Sequence, residues 1–262
     1  MESESLKKDN RLRRKASSPS SFISSQKRRG SEFGLKIHEF QISILRELLF
    51  KPNARFRDLK KVDITNDHFT FHLKHLMKEG LVVKKDGRYN LTDGGKEFAN
   101  RIDTDALKLE RQAKLAIALH AIRVKDGVTE YLVHQRLKEP FYGWYGSHSG
   151  KIRWGENPYI TAKREFLEET GLTGDFELKG IVHYHHFYKD GRLLEDKYFW
   201  VFRVYNTNGK LKEQVPEGRN VWMNEKEYRK LKNVFASVDE VIEITNSKTL
   251  MYIDRIRIVE EY

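Results

Sequence analysis

The sequence contains no cysteine, so disulfide bonds, a thiolate nucleophile and zinc sites built on cysteine are all excluded. It also lacks any apolar run close to the roughly 20 residues that a membrane-spanning helix needs. Near the N-terminus, residues 20–25 (Ser-Ser-Phe-Ile-Ser-Ser) are too short and too polar for the core of a signal peptide. These absences predict a soluble, cytoplasmic protein without a membrane partner.

Positive charge is concentrated at the front of the chain. Residues 1–103 carry 23 Lys and Arg against 14 Asp and Glu, a balance of +9, and the rest contributes only +2 of the total of +11. A basic excess in one segment favours an anionic partner such as nucleic acid. For residues 1–33 alone, a solubilising tail is the alternative interpretation.

The length of 262 residues, with 39% hydrophobic and 12% aromatic residues, allows two modest domains and a polar tail. Residues 1–33 are rich in Ser, Lys and Arg and are predicted to be a disordered basic tail. Within them, residues 30–33 (Gly-Ser-Glu-Phe) match the translation of two adjacent cloning sites, so a vector origin is one interpretation of part of this tail. We expect domains at 34–103 and 113–262, joined by a linker at 104–112.

Helical and then strand periodicity is present in the first predicted domain. Apolar residues at helical spacing predict a first helix that ends before Pro52, and a short second helix follows. Asn66 or Asp67 is expected to cap a third helix, which ends at Gly80. Two short strands around an Asp-Gly turn come next, and a last helix starts at residues 92–95.

Three helices followed by a two-stranded wing resemble a winged helix-turn-helix domain. Residues 71–82 and 89–95 carry the likeness, because they are similar to the recognition helix, its exit and the end of the wing in bacterial metal- and drug-responsive repressors. The resemblance implies that the third helix enters the major groove of double-stranded DNA and that the wing meets phosphate. The candidate nucleic-acid residues are Thr70, Lys74, His75, Lys78, Lys84, Lys85 and Arg88.

Protein contact and RNA binding are the alternatives for this domain. Asp67, near the start of the third helix, would repel phosphate. Phe71 is expected to lie on the outer face of that helix, where an aromatic side chain suits a protein surface. A role in protein contact or dimerisation therefore stays open beside DNA binding.

The stretch 150–172 carries the chemistry of the second predicted domain. Its Glu156-Asn157-Pro158 segment is typical of a helix start, and Gly171 is a typical helix end. The residues expected on the apolar side of this helix are Ile160, Ala162, Phe166 and Leu167.

Three glutamates stand on the same predicted helix at positions i, i+3 and i+4, namely Glu165, Glu168 and Glu169. This spacing places their carboxylates on one face of the helix, where like charges repel each other. Such a cluster is either a solvated surface or a site for a hard cation with oxygen ligands.

The whole stretch resembles the Nudix box. In that box a glycine, five residues, a glutamate and seven residues precede Arg-Glu-aliphatic-x-Glu-Glu-x-Gly-aliphatic, and every fixed position is filled here, with Phe166 at one of the bulky apolar places. The resemblance implies a Mg²⁺- or Mn²⁺-dependent pyrophosphohydrolase, an acid anhydride hydrolase. Its substrate would be a nucleoside diphosphate linked to another moiety, cleaved at a phosphoanhydride bond.

The resemblance also implies a role for each residue of the site. The three glutamates would hold the divalent ions, Arg164 would orient Glu165, and Glu156 would support the helix from the preceding loop. The backbone carbonyl of Ser149 would add a metal contact, although the family commonly has glycine at this position. Glu217, in a late loop, is the candidate for a further base or ligand, with an ordinary turn carboxylate as the alternative.

The rest of the second domain fits the sheet-and-helix sandwich of that family. Strands are predicted at 115–124 and 129–136 and again at 177–188 and 197–206, and helices at 224–235 and 238–244. The predicted fold class is therefore α+β with two domains, a winged helix-turn-helix followed by an α/β/α sandwich.

Substrate specificity is poorly indicated. Trp144 and Tyr145, with Phe141 and Tyr142, could stack on a nucleobase or simply pack the loop on the sheet. His183 and His185 share one face of a strand and are candidates to line the pocket, with sheet packing as the alternative. Tyr188 is similar in position to a residue of dinucleoside polyphosphate hydrolases. The substrate candidates are thus Trp144, Tyr145, His183, His185 and Tyr188.

Three functions compete on this sequence. The first is a Nudix hydrolase with an accessory winged helix, and the second is a transcription regulator that binds DNA and senses a nucleotide through the Nudix domain. The intact box favours catalysis over regulation alone, and a pure binding protein would leave the glutamates idle. The candidate partners are the nucleotide substrate, double-stranded DNA and a second copy of the chain as a homodimer.

Overall fold

The computed structural model describes residues 37–259, so the predicted basic tail lies outside the described residues. The chain divides into two compact units, Met1–Glu110 and Arg111–Tyr262. Among the described helices, none is long and apolar enough to cross a membrane. The boundary between the units falls inside the segment predicted as a linker.

Within residues 37–110, the first unit contains four helices and two small antiparallel strand pairs. These elements are, in chain order, α1 (Glu39–Phe50), α2 (Phe56–Leu59), α3 (Asn66–Lys78), β1 (Val82–Lys85), β2 (Arg88–Leu91), α4 (Asp93–Ala99), β3 (Ile102–Asp103) and β4 (Lys108–Leu109). The order of helices and hairpin is the predicted one. The assignment of this unit as a winged helix-turn-helix stays a prediction.

Local signals in the sequence explain where these helices begin. The His38 side chain accepts a hydrogen bond from the start of α1, and Gln41 reaches back to the His38 backbone, which forms a capping box. The N-cap of α3 is Thr65, whose hydroxyl accepts from the His68 backbone N–H at 3.2 Å. The prediction of Asn66 or Asp67 as the cap is therefore wrong by one or two positions, because threonine fills that role equally well.

The β1–β2 hairpin turns at Asp86 and Gly87, which both have positive φ, as the Asp-Gly signal predicts. One hydrophobic core, which includes Leu45, Phe69 and Leu76, joins the helices to this hairpin. Ile102 of β3 belongs to the same core, and β3 pairs with β4, which lies inside the predicted linker.

The described part of the second unit, up to residue 259, contains nine strands and three helices. They are β5 (Lys114–Lys125), β6 (Val128–Arg136), β7 (Tyr145–Gly146), β8 (His148–Lys151), α5 (Pro158–Thr170), β9 (Leu172–Tyr188), β10 (Leu193–Gly209), β11 (Gln214–Val215), β12 (Gly218–Asn224), α6 (Glu225–Tyr228), α7 (Val238–Asn246) and β13 (Met251–Val259). The sheet order is β11-β12-β6-β5-β10-β9-β13, with β7 beside β6 and β8 beside β5.

Alternate residues of β5 show which helix covers which face of this sheet. Ile117 and Leu119 pack in one core with Ala162 and Phe166 of α5, whereas Ala118 packs in another core with Ile244 of α7. Successive strand residues point to opposite faces. Helices α5 and α7 therefore lie on opposite faces of the sheet.

Two details of the second unit differ from the sequence predictions. The helix expected at 224–235 is only one turn long, because the Asn233 carbonyl and the Phe235 N–H bond to the Tyr145 backbone instead of continuing a helix. On α5, Ile160 and Leu167 were expected on the apolar side but are 47% and 49% exposed. The buried positions beside Ala162 and Phe166 are instead the threonines 161 and 170.

Candidate active site at the end of α5

Helix α5 begins and ends at the predicted signals. The Asn157 side chain caps it by accepting from the Ile160 N–H at 2.9 Å, and Pro158 occupies the first turn. Gly171 ends it in a left-handed conformation with φ of 73°, which glycine adopts without steric cost. The three predicted metal-binding glutamates therefore lie in the last two turns of α5.

Arg164 is held by two hydrogen bonds to Glu156. Its Nε and Nη2 atoms donate to the two carboxylate oxygens at 2.9 Å and 2.8 Å, a bidentate pair. The Thr161 hydroxyl donates to the same carboxylate at 2.9 Å. The hydrogen bonds from Arg164, followed by those from Thr161 and the Arg153 backbone, lower the pKa of Glu156 to about 2. Glu156 thus contacts the helix through Arg164, and the supporting role that the resemblance implied stays a prediction.

The third guanidinium nitrogen of Arg164 faces the glutamates. Its Nη1 donates to Glu165 Oε1 at 2.6 Å and to Glu168 Oε2 at 3.2 Å. Arg164 therefore connects Glu156 on one side with Glu165 and Glu168 on the other. Arg153 stands farther off, with Nη2 3.9 Å from the same Glu168 oxygen.

Gly150 leaves the space in which Glu165 lies. A Cβ added at this glycine would sit 2.3 Å from both Cγ and Cδ of Glu165, well inside contact distance. Any side chain here would displace the carboxylate. Ser149, the preceding residue, has an exposed side chain and pairs with Ala118 in the β5–β8 ladder, so its carbonyl lies on the strand next to Glu165.

The pKa of Glu169 is shifted strongly from its ordinary value. Burial, followed by the nearby charges of Glu165 and Glu217, raises the pKa of Glu169 to about 8. Its negative charge is therefore costly in the absence of a cation. Glu217, just before β12, is exposed and forms an ion pair with Lys138. The fold brings Glu217 into electrostatic range of Glu169 although 48 positions separate them in the sequence.

An asparagine that the sequence analysis did not single out supports the backbone of the site. Asn220 Nδ2 donates to the carbonyl oxygens of Glu169 at 2.9 Å and Lys212 at 2.8 Å. Its Oδ1 atom must therefore accept from His148 Nε2 at 2.9 Å and His134 Nδ1 at 2.8 Å. This buried amide fixes the end of α5 against β12. Asparagine is uncommon inside a strand, and this was the feature of the sequence that could have drawn attention to it.

The aromatic residues proposed for the substrate pack largely on each other. Trp144 lies 5.2 Å from Phe141 and 5.3 Å from Phe235 between ring centroids. Tyr145 pairs with Gln135 in the sheet and is half-buried. Both stay partly accessible, so base stacking remains a prediction beside loop packing.

The other three substrate candidates are not brought to the glutamates. His183 lies two residues beyond Ile181 of β9, and the sheet register places Ile181 three strand spacings, or about 14 Å, from Gly150 beside Glu165. His185 is farther still, and Tyr188 lies at the β9–β10 turn with Arg192 stacked over its ring at 4.9 Å. Strand β9 is 17 residues long, and sequence spacing alone did not reveal where in the sheet it places these residues.

The candidate nucleic-acid residues all belong to the first unit. On α3, Lys74 and Lys78 are exposed and Thr70 and His75 are half-buried. On the hairpin, Lys84 and Lys85 are exposed, and Arg88 is half-buried beside Arg55 and Arg57 around a shallow open groove. Phe71 is 62% exposed, as the protein-contact alternative requires.

Comparison with known proteins finds a family match within the second unit. Residues 114–243 match the NUDIX domain family. A mutator MutT protein from Bacillus halodurans is 26% identical, with 55% of this chain and 90% of that chain covered and a TM-score of 0.48. The NUDIX domain of Shewanella oneidensis NrtR complexed with ADP ribose is 16% identical, with coverages of 58% and 96% and a TM-score of 0.46. A C. elegans Ap4A hydrolase is 19% identical, with coverages of 50% and 94% and a TM-score of 0.37.

Proposed function

Because residues 114–243 form a NUDIX domain, we propose that this chain is a Mg²⁺- or Mn²⁺-dependent hydrolase. Its reaction would be cleavage of a phosphoanhydride bond in a nucleoside diphosphate linked to another moiety. The observation that supports this most directly is the arrangement at the end of α5, where Arg164 joins Glu156 to Glu165 and Glu168 beside the perturbed Glu169.

The residues present fit a hard divalent cation. Three carboxylates and a nearby backbone carbonyl offer only oxygen atoms, which Mg²⁺ and Mn²⁺ prefer. The raised pKa of Glu169 means that its charge lacks compensation, and a cation would supply it. When bound, the ion would neutralise charge on the diphosphate and activate a water molecule for attack on phosphorus.

The protein's own residues would position this chemistry. Arg164 keeps the Glu165 carboxylate in one orientation, and Asn220 holds the last turn of α5 through the Glu169 carbonyl. Glu169 would serve as a metal ligand or as the general base. Glu217 and its partner Lys138 would border the same site, as a further base or ligand and as a contact for phosphate.

Trp144 and Tyr145 are the proposed contacts for the nucleobase. They lie on the segment that joins β6 to β8, and the Trp144 carbonyl accepts a hydrogen bond from the Arg136 N–H at 2.8 Å. The neighbouring Leu137 N–H donates to the Glu217 carbonyl at 2.8 Å. The aromatic segment therefore borders the strand ends where Glu217 stands, within reach of a substrate that extends from the glutamates.

A substrate screen tests this proposal. The full chain would be incubated with Mg²⁺ and ADP-ribose, dinucleoside polyphosphates, nucleoside triphosphates or nucleotide sugars, and released phosphate or nucleoside monophosphate measured. We expect turnover of at least one class, lost with EDTA and restored by Mg²⁺ or Mn²⁺. The absence of metal-dependent turnover on every class, in a protein shown to be folded by circular dichroism, would refute the hydrolase proposal.

A second candidate function is DNA binding by the first unit, which as a winged helix-turn-helix would make the chain a nucleotide-sensing regulator. The exposed lysines of α3 and of the hairpin, together with three arginines around one groove, favour an anionic partner. The exposed Phe71 favours a protein partner instead. Because these exposed charges are positive, nucleic acid is the partner to test first.

Lys84→Ala with Lys85→Ala is expected to weaken binding of double-stranded DNA across all sequences. Each lost phosphate contact should reduce the slope of log K against log salt by about 0.9, so the double variant should lose about one to two units. The measurement uses residues 34–110, because a basic tail alone binds DNA without specificity and Ile102 belongs to the core of the unit.

Lys96→Ala with Lys108→Ala is the matched control, since it removes the same charge outside the predicted surface. Equal losses in both double variants would indicate non-specific attraction only. If residues 34–110 retard no genomic fragment at low salt, DNA binding is wrong and the exposed Phe71 points to a protein partner.

A further inference from the structure

Two histidines and two aspartates meet on one face of the sheet, three strands away from Gly150 and the neighbouring Glu165. His183 and His185 are alternate residues of β9 and therefore share a face. On one side, Asp254 of the parallel strand β13 is in register with His183. On the other side, Asp196 of the antiparallel strand β10 is in register with His185. Three neighbouring strands thus contribute to one cluster.

The distances within this cluster suit one small cation. His185 Nε2 lies 3.3 Å and His183 Nδ1 lies 3.8 Å from the same oxygen, Asp254 Oδ1. Ligand atoms of His183, His185 and Asp254 all lie within 4.8 Å of one another. Two ligands of a tetrahedral zinc ion, each about 2.1 Å from the metal, are separated by about 3.4 Å. Side-chain adjustments of less than about 1 Å would therefore bring all three ligands to one ion.

Asp196 has the position of a supporting carboxylate. Its Oδ1 atom lies 2.6 Å from His183 Nε2, so that nitrogen carries the proton and donates it. The other nitrogen, Nδ1, is then a lone-pair donor directed toward Asp254 and His185. A carboxylate bound to the far nitrogen of a histidine is the common second contact of zinc-ligating histidines. This hydrogen bond is an observation independent of the ligand distances.

The residues around His183 restrict the movement of its side chain. The Tyr198 ring stacks on His183 at 3.8 Å between centroids and 11° between planes, and His183 is 7% exposed. His185 is partly accessible and Asp254 is exposed, so an ion could enter from solvent. The two carboxylates contribute negative charge to the cluster, which favours a divalent cation.

We propose that His183, His185 and Asp254, supported by Asp196, form a binding site for a zinc-class divalent ion, separate from the Mg²⁺ site proposed for the glutamates. Imidazole nitrogen with one carboxylate suits Zn²⁺ and its neighbours in the transition series, whereas oxygen-only sets suit Mg²⁺. The chain has no cysteine, so a zinc-class ion would have to be held by imidazole and carboxylate ligands of this kind. The ion would tie the edge strand β13 to β9 and thereby stabilise the C-terminal part of the sheet.

Calorimetric titration of Zn²⁺ into the EDTA-stripped full chain, in excess Mg²⁺, tests this site. We expect one tight Zn²⁺ per chain, a loss of at least tenfold in affinity for His185→Ala and for Asp254→Asn, and a loss of about 10- to 100-fold for Asp196→Asn with the stoichiometry kept. Zn²⁺ should also raise the Tm of the parent protein but not of His185→Ala.

Two controls separate this site from other sources of zinc binding. His186→Ala removes a histidine of the same strand whose Nδ1 faces Glu195 at 3.5 Å on the opposite face, and Glu169→Gln alters the proposed Mg²⁺ site. Both should keep the parent's Zn²⁺ affinity within threefold. The proposal is wrong if His185→Ala and Asp254→Asn, shown to be folded, bind Zn²⁺ as tightly as the parent, or if Glu169→Gln abolishes the binding.

Discussion

Glu169→Gln is expected to lower kcat/KM on the best substrate by about a hundredfold or more. Burial and neighbouring carboxylates raise the pKa of the carboxylate that it removes, which is proposed to serve either as a metal ligand or as the base. A correctly placed base alone commonly contributes 10²- to 10⁴-fold, so the loss corresponds to several kcal/mol of transition-state stabilisation. Steady-state kinetics with saturating Mg²⁺ would measure it.

The same substitution should not destabilise the metal-free fold. The folded-state pKa of Glu169 is raised to about 8, so ionisation in the unfolded state lowers the stability of the parent as pH rises from about 4.5 to 8. Glutamine carries no charge and avoids that loss, so the urea midpoint at pH 7 should stay equal or rise. Glu243→Gln, on the exposed side of α7, is the control and should keep full activity. Turnover of Glu169→Gln within threefold of the parent would contradict the assignment.

Gly150→Ala is expected to reduce turnover nearly as strongly, although it adds only one methyl group. The new Cβ would lie 2.3 Å from Cγ and Cδ of Glu165, so either that side chain or strand β8 must move. A displacement of about 1 Å in an active site can cost about a hundredfold in rate. Because Arg164 donates to Glu165 at 2.6 Å, the connection to Glu156 should loosen as well.

Ser149→Ala is the matched control for Gly150→Ala. The Ser149 side chain is exposed, and only its backbone carbonyl is proposed to contact the metal, so activity should be retained. We expect the apparent Mg²⁺ affinity to fall for Gly150→Ala and to stay unchanged for Ser149→Ala. Equal activity of the two variants would show that the position of Glu165 is unimportant for the reaction.

The extent of α5 could be predicted because its signals are local. Asn157 and Gly171 define the two ends within a few residues of the positions they cap, and the spacing of the glutamates fixes which of them share a face. The same reasoning wrongly placed Ile160 and Leu167 on the buried side of α5. The sheet covers a narrower strip of this helix than its hydrophobic residues would occupy. Packing partners, rather than residue type, decided which positions are buried.

The supporting contacts could not be predicted, because they join segments far apart in the sequence. Asn220 reaches the carbonyl of Glu169, 51 positions earlier, only because β12 lies beside the end of α5. The position of the β9 histidines within the sheet could not be predicted either. They follow the box closely in sequence, yet the sheet order places them three strands away from Gly150, between aspartates of β10 and β13.

The sequence by itself determined the two-part organisation of charge, the helices and hairpin of the first unit, and the identity and spacing of the glutamate group, because each depends on composition or on neighbours along the chain. The tertiary structure alone decided that Gly150 makes room for Glu165, that Glu217 stands near Glu169, and that His183 and His185 face Asp254. The reason is that strand order and register bring together residues between 15 and 71 positions apart, and neither can be read from local periodicity.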